Sequence, residues 1–365
     1  MGGTEQKYIN EAFQENWIAP LGPNVTGFEN DLENYLGDNK KVAALSSGTA
    51  AIHLALVLAG VVHNDEVLCQ SFTFSASANP IAYQGATPVF VDSEKDTWNM
   101  CPVHLEEAIK DRITISKKPK AIIVVHLYGM PAKMDEIQAI ANKYDICLIE
   151  DAAEALGSTY KGQKCGTFGD YGILSFNGNK IITTSGGGAL ICKNDEEKSR
   201  AIFLATQAKD NAPHYQHSEI GYNYRMSNIV AGIGRGQMEV LDNHISLRQE
   251  MHFFYREIFK DVDGVTVFEE PNDSYVSNHW LSCILVDEKL AKFSREDVSL
   301  KLELDNIESR PLWKPMHLQP VFATSDFYGN GYSEKLFNSG LCLPSGSNLI
   351  GEDKERIRVA LSNLI

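Results

Sequence analysis

Residues 121–151 read AIIVVHLYGMPAKMDEIQAIANKYDICLIED, and this stretch decides the fold class. It begins with an almost continuous apolar run at residues 121–126, continues with a helical pattern from Met134 to Tyr144, and ends with a second apolar run at residues 146–149. Strands that are apolar on both faces are typical of parallel sheets covered by helices on both sides. The stretch therefore predicts a strand–helix–strand unit of an α/β protein.

The same alternation extends outward from this unit, from about residue 40 to residue 195. Further strands are predicted at residues 42–45, 66–69, 88–91, 171–176 and 189–192. A helix is predicted from Thr49 to Leu58, and residues 228–255 predict one or two long helices, after which the elements become shorter and mixed. We therefore predict two domains: a large one at residues 1–245 and a smaller α+β domain at residues 246–365.

The composition excludes several classes of protein. The chain has 365 residues, 43% of them hydrophobic, and a net charge of −15. This balance is typical of a soluble globular protein and argues against nucleic acid or an anionic membrane as a partner. The seven cysteines form no C-x-x-C pair and no H-E-x-x-H motif is present, so we predict no metal site. The sequence has no signal-like start and no apolar run of membrane-spanning length, which predicts a cytoplasmic protein.

A lysine and a carboxylate are placed where cofactor chemistry could occur. Lys180 ends the polar stretch SFNGNK (175–180) and precedes a turn rich in hydroxyl groups and glycine. Asp151 follows the strand predicted at residues 146–149, at the end where open α/β sheets bind ligands. An amine that can form a Schiff base and a carboxylate that can face a pyridine nitrogen are the minimum set for pyridoxal phosphate (PLP) chemistry. Taken alone, Asp151 could equally be a structural or helix-capping residue.

Three other features of the sequence could bind a phosphate or a flat ring, but each also has a common structural explanation. The segment SSGTA (46–50) opens a helix, where N–H groups bind anions, although an N-cap is the common role. Phe74 follows a strand end and could stack on a ring, or could belong to the core. Asn223 and Arg225 could donate to a phosphate, or could lie in a solvated loop.

In their order, these motifs resemble the DegT/DnrJ/EryC1 group of PLP-dependent nucleotide-sugar aminotransferases. The resemblance is carried by SGTA (47–50), EDAAE (150–154), SFNGNK (175–180) and GYNYR (221–225), and extends over nearly the whole chain. It implies a fold-type I large domain with a mostly parallel, seven-stranded sheet flanked by helices, followed by the smaller α+β domain. It also implies PLP as the cofactor and a homodimer with shared active sites.

The resemblance implies roles for individual residues. Lys180 matches the Schiff-base lysine and Asp151 the partner of the pyridine nitrogen, which makes these two the catalytic residues. The remaining cofactor-binding residues are Gly48, Thr49, Ala50, Phe74, Glu154, Ser175 and Asn223. Asn223 matches an asparagine that reaches the phosphate from the neighbouring subunit. The candidates for substrate binding are Asn16, Ile18, Arg225, Lys314 and His317. The family often has His or Gln at the position of Glu154, so the role of this residue stays open.

Within the family, the chain is most similar to the C4 aminotransferases of the bacillosamine pathway. This implies UDP-2-acetamido-2,6-dideoxy-α-D-xylo-hex-4-ulose as the acceptor and L-glutamate as the donor. One alternative is a C3 or C4 aminotransferase that acts on a TDP- or GDP-linked keto sugar. Another, from a different class, is a regulatory protein that binds PLP without catalysis.

Overall fold

The computed structural model describes residues 1–37, 39–362 and 364. It confirms the predicted α/β class, because helices cover a large, mostly parallel sheet. The strands are β1 (Lys41–Leu45), β2 (Glu66–Gln70), β3 (Thr87–Val91), β4 (Ala121–Val125), β5 (Cys147–Asp151), β6 (Thr159–Tyr160), β7 (Gln163–Lys164), β8 (Tyr171–Ser175), β9 (Gly188–Cys192), β10 (Val265–Val267), β11 (Tyr275–Val276), β12 (Ser282–Val286), β13 (Arg310–Pro311), β14 (Phe327–Tyr328) and β15 (Gly340–Leu343).

The helices include those predicted at residues 49–58 and 134–144. They are α1 (Glu5–Gln14), α2 (Pro23–Leu36), α3 (Gly48–Leu58), α4 (Ser75–Tyr83), α5 (Pro102–Thr114), α6 (Met134–Tyr144), α7 (Asp195–Ala205), α8 (Asn228–Met238), α9 (Leu241–Phe259), α10 (Glu288–Ala291), α11 (Arg295–Leu304), α12 (Tyr332–Ser339) and α13 (Gly351–Ser362). The pattern at residues 228–255 thus corresponds to two helices. Over the described part of the chain, none of these helices is both long and apolar enough to cross a membrane.

The large sheet has the strand order β1-β9-β8-β5-β4-β2-β3-β14 in the described residues. Strand β9 runs antiparallel to both of its neighbours, and the other adjacent pairs are parallel. The sheet therefore has eight strands, whereas seven were predicted. The additional strand is β14, which pairs Phe327 with Phe90 at the edge of the sheet. With two residues, β14 is too short to leave an apolar pattern in the sequence.

The central strands explain why the apolar runs are continuous. In β4, Ile122 and Val124 belong to one hydrophobic core, whereas Ile123 belongs to another core on the opposite face of the sheet. The next strand repeats this arrangement, with Leu148 in the first core and Ile149 in the second. Both faces are covered, so apolar residues fill consecutive positions along these strands, and the polar residues Glu150 and Asp151 come only at the end of β5.

The C-terminal part contains a second, antiparallel sheet with the order β10-β12-β15-β13. Helices α9, α11 and α13 pack on it, and Met251, Leu302 and Ile357 belong to their shared core. This is the α+β character predicted for residues 246–365. The predicted boundary after residue 245 falls inside α9, and β14 leaves this part of the chain to join the large sheet. The division into two domains stays a prediction.

Candidate active site

The candidate site is a cavity of about 290 Å³ at the carboxyl ends of β5 and β8. The two strands are parallel neighbours, with Asp151 opposite Ile173, so their carboxyl ends lie side by side at one edge of the sheet. Seven of the predicted site residues line the cavity: Gly48, Thr49, Phe74, Asp151, Glu154, Ser175 and Lys180. The structure thus unites residues from four separate stretches of sequence in one space.

Asp151 is the last residue of β5, whereas the sequence predicted it just after the strand. Its side chain is buried and accepts hydrogen bonds from the Ser77 hydroxyl at 2.6 Å and from the Ala153 N–H at 3.2 Å. The Ser77 hydroxyl is in turn 2.8 Å from the Thr73 hydroxyl. These contacts fix the orientation of the carboxylate in the cavity. Ser77 was missed at the sequence level, because nothing local distinguishes it from the other small residues of α4.

Lys180 reaches the cavity from the loop that follows β8. Its Nζ donates to Oε1 of Glu154 at 3.3 Å and lies 4.1 Å from the centroid of the Trp280 ring. Trp280 is itself held by a hydrogen bond from its indole N–H to the Asn179 carbonyl at 2.7 Å. The amine therefore has a carboxylate and an aromatic face as neighbours, and both stabilise a cation.

Glu154 is almost fully buried and has two donors. The Tyr128 N–H donates to its Oε2 at 2.7 Å, and Lys180 donates to Oε1. Burial raises the pKa of Glu154 to about 7, although the positive charge of Lys180 and the Tyr128 N–H act in the opposite direction. The desolvation of the carboxylate is thus the larger effect at this position.

The segment at residues 46–50 forms the turn between β1 and α3. The Ser47 side chain caps the helix and accepts the Ala50 N–H at 3.0 Å. Ala50 itself does not line the cavity, whereas Gly48 and Thr49 do. A Cβ at Gly48 would lie 3.1 Å from the Ser175 Cβ, so glycine permits the close approach of α3 to β8. The N–H groups of a first helical turn are suited to bind a phosphate placed against them.

Aromatic side chains form one wall of the cavity. Phe74 is 56% exposed, and its ring centroid lies 5.2 Å from that of Trp313. Trp280 and Trp313 both line the cavity, and neither was assigned a role from the sequence. Trp280 lies far along the chain from Lys180, so only the tertiary fold brings them together. No signal in its local sequence could have shown this.

Two predicted residues near position 225 lie outside the residues that line the cavity. The guanidinium of Arg225 forms an ion pair with the buried Glu29 and donates to the Ala44 carbonyl at 2.9 Å. Asn223 is exposed and forms an isolated bridge with Thr206. The contacts of Arg225 are those of a structural residue, and its substrate role stays a prediction, as does the phosphate role of Asn223.

The other substrate candidates also lie outside the cavity lining. Asn16 and Ile18 are exposed in the turn after α1, and Lys314 is exposed as well. The ring of His317 is 2.6 Å from the Ser71 hydroxyl through Nδ1 and 3.3 Å from Glu334 through Nε2. Their roles in substrate binding stay predictions.

A possible ion site lies outside the cavity lining. His252, Glu270 and His279 form a group of potential ligands in the described residues. The two imidazole rings stack with centroids 3.8 Å apart and an interplanar angle of 12°. Lone pairs in nearly parallel rings run side by side, whereas a tetrahedral ion needs them to converge. The expectation of no metal stays a prediction.

Comparison with known proteins gives a consistent result. The model of the DegT/DnrJ/EryC1/StrS aminotransferase family matches residues 1–362. EpsN of Bacillus subtilis (strain 168), provisionally assigned as a pyridoxal phosphate-dependent aminotransferase, is 51% identical, with 100% of this chain and 94% of EpsN covered. GDP-perosamine synthase of Caulobacter vibrioides is 36% identical, with 100% and 96% covered. The crystal structure of a DegT DnrJ EryC1 StrS aminotransferase from Brucella abortus has a TM-score of 0.91 and 31% identity, with 99% and 95% covered.

Proposed function

The chain belongs to the DegT/DnrJ/EryC1/StrS aminotransferase family, and on that premise we propose that it aminates C4 of a UDP-linked 4-keto sugar. It is a PLP-dependent sugar aminotransferase. We propose L-glutamate as the donor, UDP-2-acetamido-2,6-dideoxy-α-D-xylo-hex-4-ulose as the acceptor, and bacillosamine-type glycan synthesis as the use of the product. The observation that carries the aminotransferase chemistry is the presence of Lys180 and Asp151 in one cavity, whereas the choice of donor and acceptor rests on the resemblance of the sequence motifs.

The residues of the cavity fit PLP. Lys180 supplies an amine, Asp151 a carboxylate, and the start of α3 a set of N–H groups suited to the phosphate. Gly48 lies in this turn, where a Cβ would crowd the side chain of Ser175. When bound, PLP supplies an electron sink that stabilises a carbanion at the reacting carbon.

The side chains that line the cavity have different roles in the reaction. Lys180 binds the cofactor and, once displaced, moves a proton as a general acid and base. Asp151, oriented by Ser77 and the Ala153 N–H, keeps the ring nitrogen protonated. Gly48, Thr49 and Ser175 bind the phosphate, and Phe74 is placed to contact the ring. Each of these roles uses a group that already faces the cavity.

The two half-reactions use the same groups in opposite directions. In the first, Lys180 would take a proton from Cα of L-glutamate, whose amino group would pass to the bound cofactor, and water would release 2-oxoglutarate by hydrolysis. In the second, the amino group would pass from the cofactor to the keto sugar, whose keto oxygen would leave as water, and Lys180 would deliver a proton to C4. One lysine can serve both substrates because they enter the cavity in turn.

The nucleotide part of the substrate must bind to local donors. With a net charge of −15, the chain offers no general attraction to a diphosphate. Lys314 is exposed and remains a candidate, together with His317 and Arg225. The alternative is amination of a TDP- or GDP-linked keto sugar at C3 or C4, and the similarity to GDP-perosamine synthase supports a GDP-linked sugar.

A panel of acceptors tests the proposal. The holoenzyme is incubated with L-glutamate and UDP-, TDP- or GDP-linked keto sugars, and the products are identified by NMR. We expect a UDP-4-amino sugar and, for Lys180→Ala, loss of both the visible absorbance of the lysine-bound cofactor and turnover. A product aminated at C3, or preference for another nucleotide, would refute the substrate assignment. Failure of glutamate to aminate the cofactor would favour the regulatory alternative.

A further inference from the structure

Two carboxyl groups, three residues apart, face the cavity and have different partners. Asp151 accepts from a hydroxyl and a peptide N–H, both neutral donors. Glu154 accepts from the Tyr128 N–H and from the amine of Lys180. Of the two, Glu154 is the one that contacts the group that moves protons. This difference in partners indicates a difference in function.

Glu154 is placed so that its charge can change near neutral pH. It is 4% exposed, and a carboxylate at such a site is unfavourable unless it is paired. Burial raises the pKa of Glu154 to about 7, with the charge of Lys180 and the Tyr128 N–H opposing the shift. A carboxyl group with a pKa close to the working pH can both accept and release a proton.

The titratable groups around Glu154 come from each element that packs against it. They are Lys180 after β8, Asp151 on β5, Tyr128 after β4 and Cys283 on β12. Burial raises the pKa of Tyr128 and of Cys283 well above their usual values, so both stay neutral near pH 7. Burial is the largest influence on the pKa of Glu154 and raises it, whereas the charge of Lys180 lowers it and the charge of Asp151 raises it.

We propose that Glu154 is a positioning residue that orients the amine of Lys180 and exchanges one proton with it. This rests on the proposed function, in which Lys180 moves a proton. The exchange is balanced: the Lys180 ammonium gives a proton to the Glu154 carboxylate, which leaves a neutral amine and a neutral carboxyl group, and the reverse step restores both charges.

The surroundings of the pair support this exchange. The Tyr128 N–H holds Oε2, so Oε1 stays directed at Nζ. The Trp280 ring approaches Nζ to 4.1 Å and thus stabilises the ammonium form. Lys180 and Glu154 are 11% and 4% exposed, so the pair is largely shielded from bulk water. Lys180 would then be returned to the protonation state that each half-reaction needs.

The first experiment uses the apoenzyme and does not depend on turnover. Lys180 is labelled with an amine-reactive reagent across a pH series, and the extent is measured by mass spectrometry in the wild type and in Glu154→Gln. Removal of the carboxylate should lower the midpoint of labelling by roughly 1–3 pH units, because the ammonium form loses its anionic partner. Glu303→Gln, the same change at an exposed site on α11, should leave the midpoint unchanged.

The second experiment follows kcat and KM against pH in the holoenzyme. Wild-type kcat should fall as pH drops through about 7, because Glu154 is then protonated and cannot accept a proton from Lys180. In Glu154→Gln this acidic limb should disappear and kcat should fall roughly 10²-fold, with a small change in the KM for glutamate. Glu154→Asp, which retains a titrating group, should keep an acidic limb.

These outcomes separate the inference from the proposed function. An unchanged labelling midpoint in Glu154→Gln, or an acidic limb that persists, would overturn the role of Glu154. If no keto sugar is aminated but the midpoint shifts, the proposed function fails and the proton-sharing pair stands. Thermal unfolding of each variant verifies folding. If Glu154→Gln does not fold, Glu154→Asp decides, since its shorter side chain places the carboxylate farther from Nζ and should also lower the midpoint of labelling.

Discussion

At the residue scale, Asp151 shows how much of the candidate site could be predicted from sequence. Its position at the end of an apolar run predicted its place at the carboxyl edge of the sheet. Trp280 could not be predicted, because its approach to Lys180 depends on how the C-terminal part packs on the large sheet. A site residue can be predicted from the sequence when the end of a strand determines its position. It cannot be predicted when its position depends on tertiary packing.

Substitution of Asp151 tests the division of work between the two carboxyl groups. In Asp151→Asn the amide can still accept from Ser77, so the fold should persist, but it cannot keep a ring nitrogen protonated. We expect cofactor binding to remain and kcat to fall roughly 10²-fold or more, as for loss of one preorganised electrostatic contact. Cofactor content by absorbance and single-turnover rates measure the two effects. Turnover near the wild-type rate would contradict the assignment.

At the element scale, β9 determines how closely the parts of the candidate site approach. It lies between β1 and β8 and places Gly188 opposite both Leu45 and Ser175. The sequence predicted β9 and α3 to within one residue at each end, but the antiparallel direction of β9 could not be predicted. A short apolar run has the same pattern in either direction, and only the connections to the neighbouring elements determine whether the strand is parallel or antiparallel.

A methyl group at Gly188 tests this contact. A Cβ there would lie 2.3 Å from the backbone N of Gly48, and backbone cannot move aside as a side chain can. We expect Gly188→Ala to lower the free energy of unfolding by roughly 1–3 kcal/mol and to weaken cofactor binding, because α3 must shift. Gly351→Ala, where nothing lies within 4 Å, is the matched control. Chemical denaturation and cofactor titration measure both quantities, and equal behaviour of the two variants would refute the argument.

At the scale of the whole molecule, hydrogen bonds connect the C-terminal part of the chain to the large sheet. Asp92, just after β3, accepts N–H groups from Gly331, Tyr332 and Ser333 at 2.8, 2.9 and 3.0 Å. Burial opposes its ionisation, but hydrogen bonds from Ser333, Ser93 and Tyr332 outweigh burial and hold the pKa of Asp92 below its usual value. The pattern of helices and strands in the sequence predicted two domains. It could not predict the hydrogen bonds to Asp92, because they join residues that are far apart in the chain.

The proposed dimer is a prediction at this scale too. Asn223 is exposed and lies outside the lining of its own cavity, so its side chain is accessible to a second copy. We expect Lys180→Ala and Asn223→Ala each to be impaired alone, whereas a hybrid dimer would contain one intact site with Lys180 from one chain and Asn223 from the other. Mixing the two variants under subunit exchange should therefore restore activity, up to one site per dimer. Absence of any recovery, with exchange verified by mass spectrometry, would exclude shared sites.

The position of β14 has a consequence for synthesis on the ribosome. Strand β3 emerges early, but its outer edge is covered only after residues 327–328 have been translated. Until then the nascent chain carries an open strand edge, which is a template for pairing with other chains. Contacts between distant segments also form slowly, which lengthens this exposure. Any fragment that stops short of β14 therefore keeps a permanently open edge and is prone to aggregate.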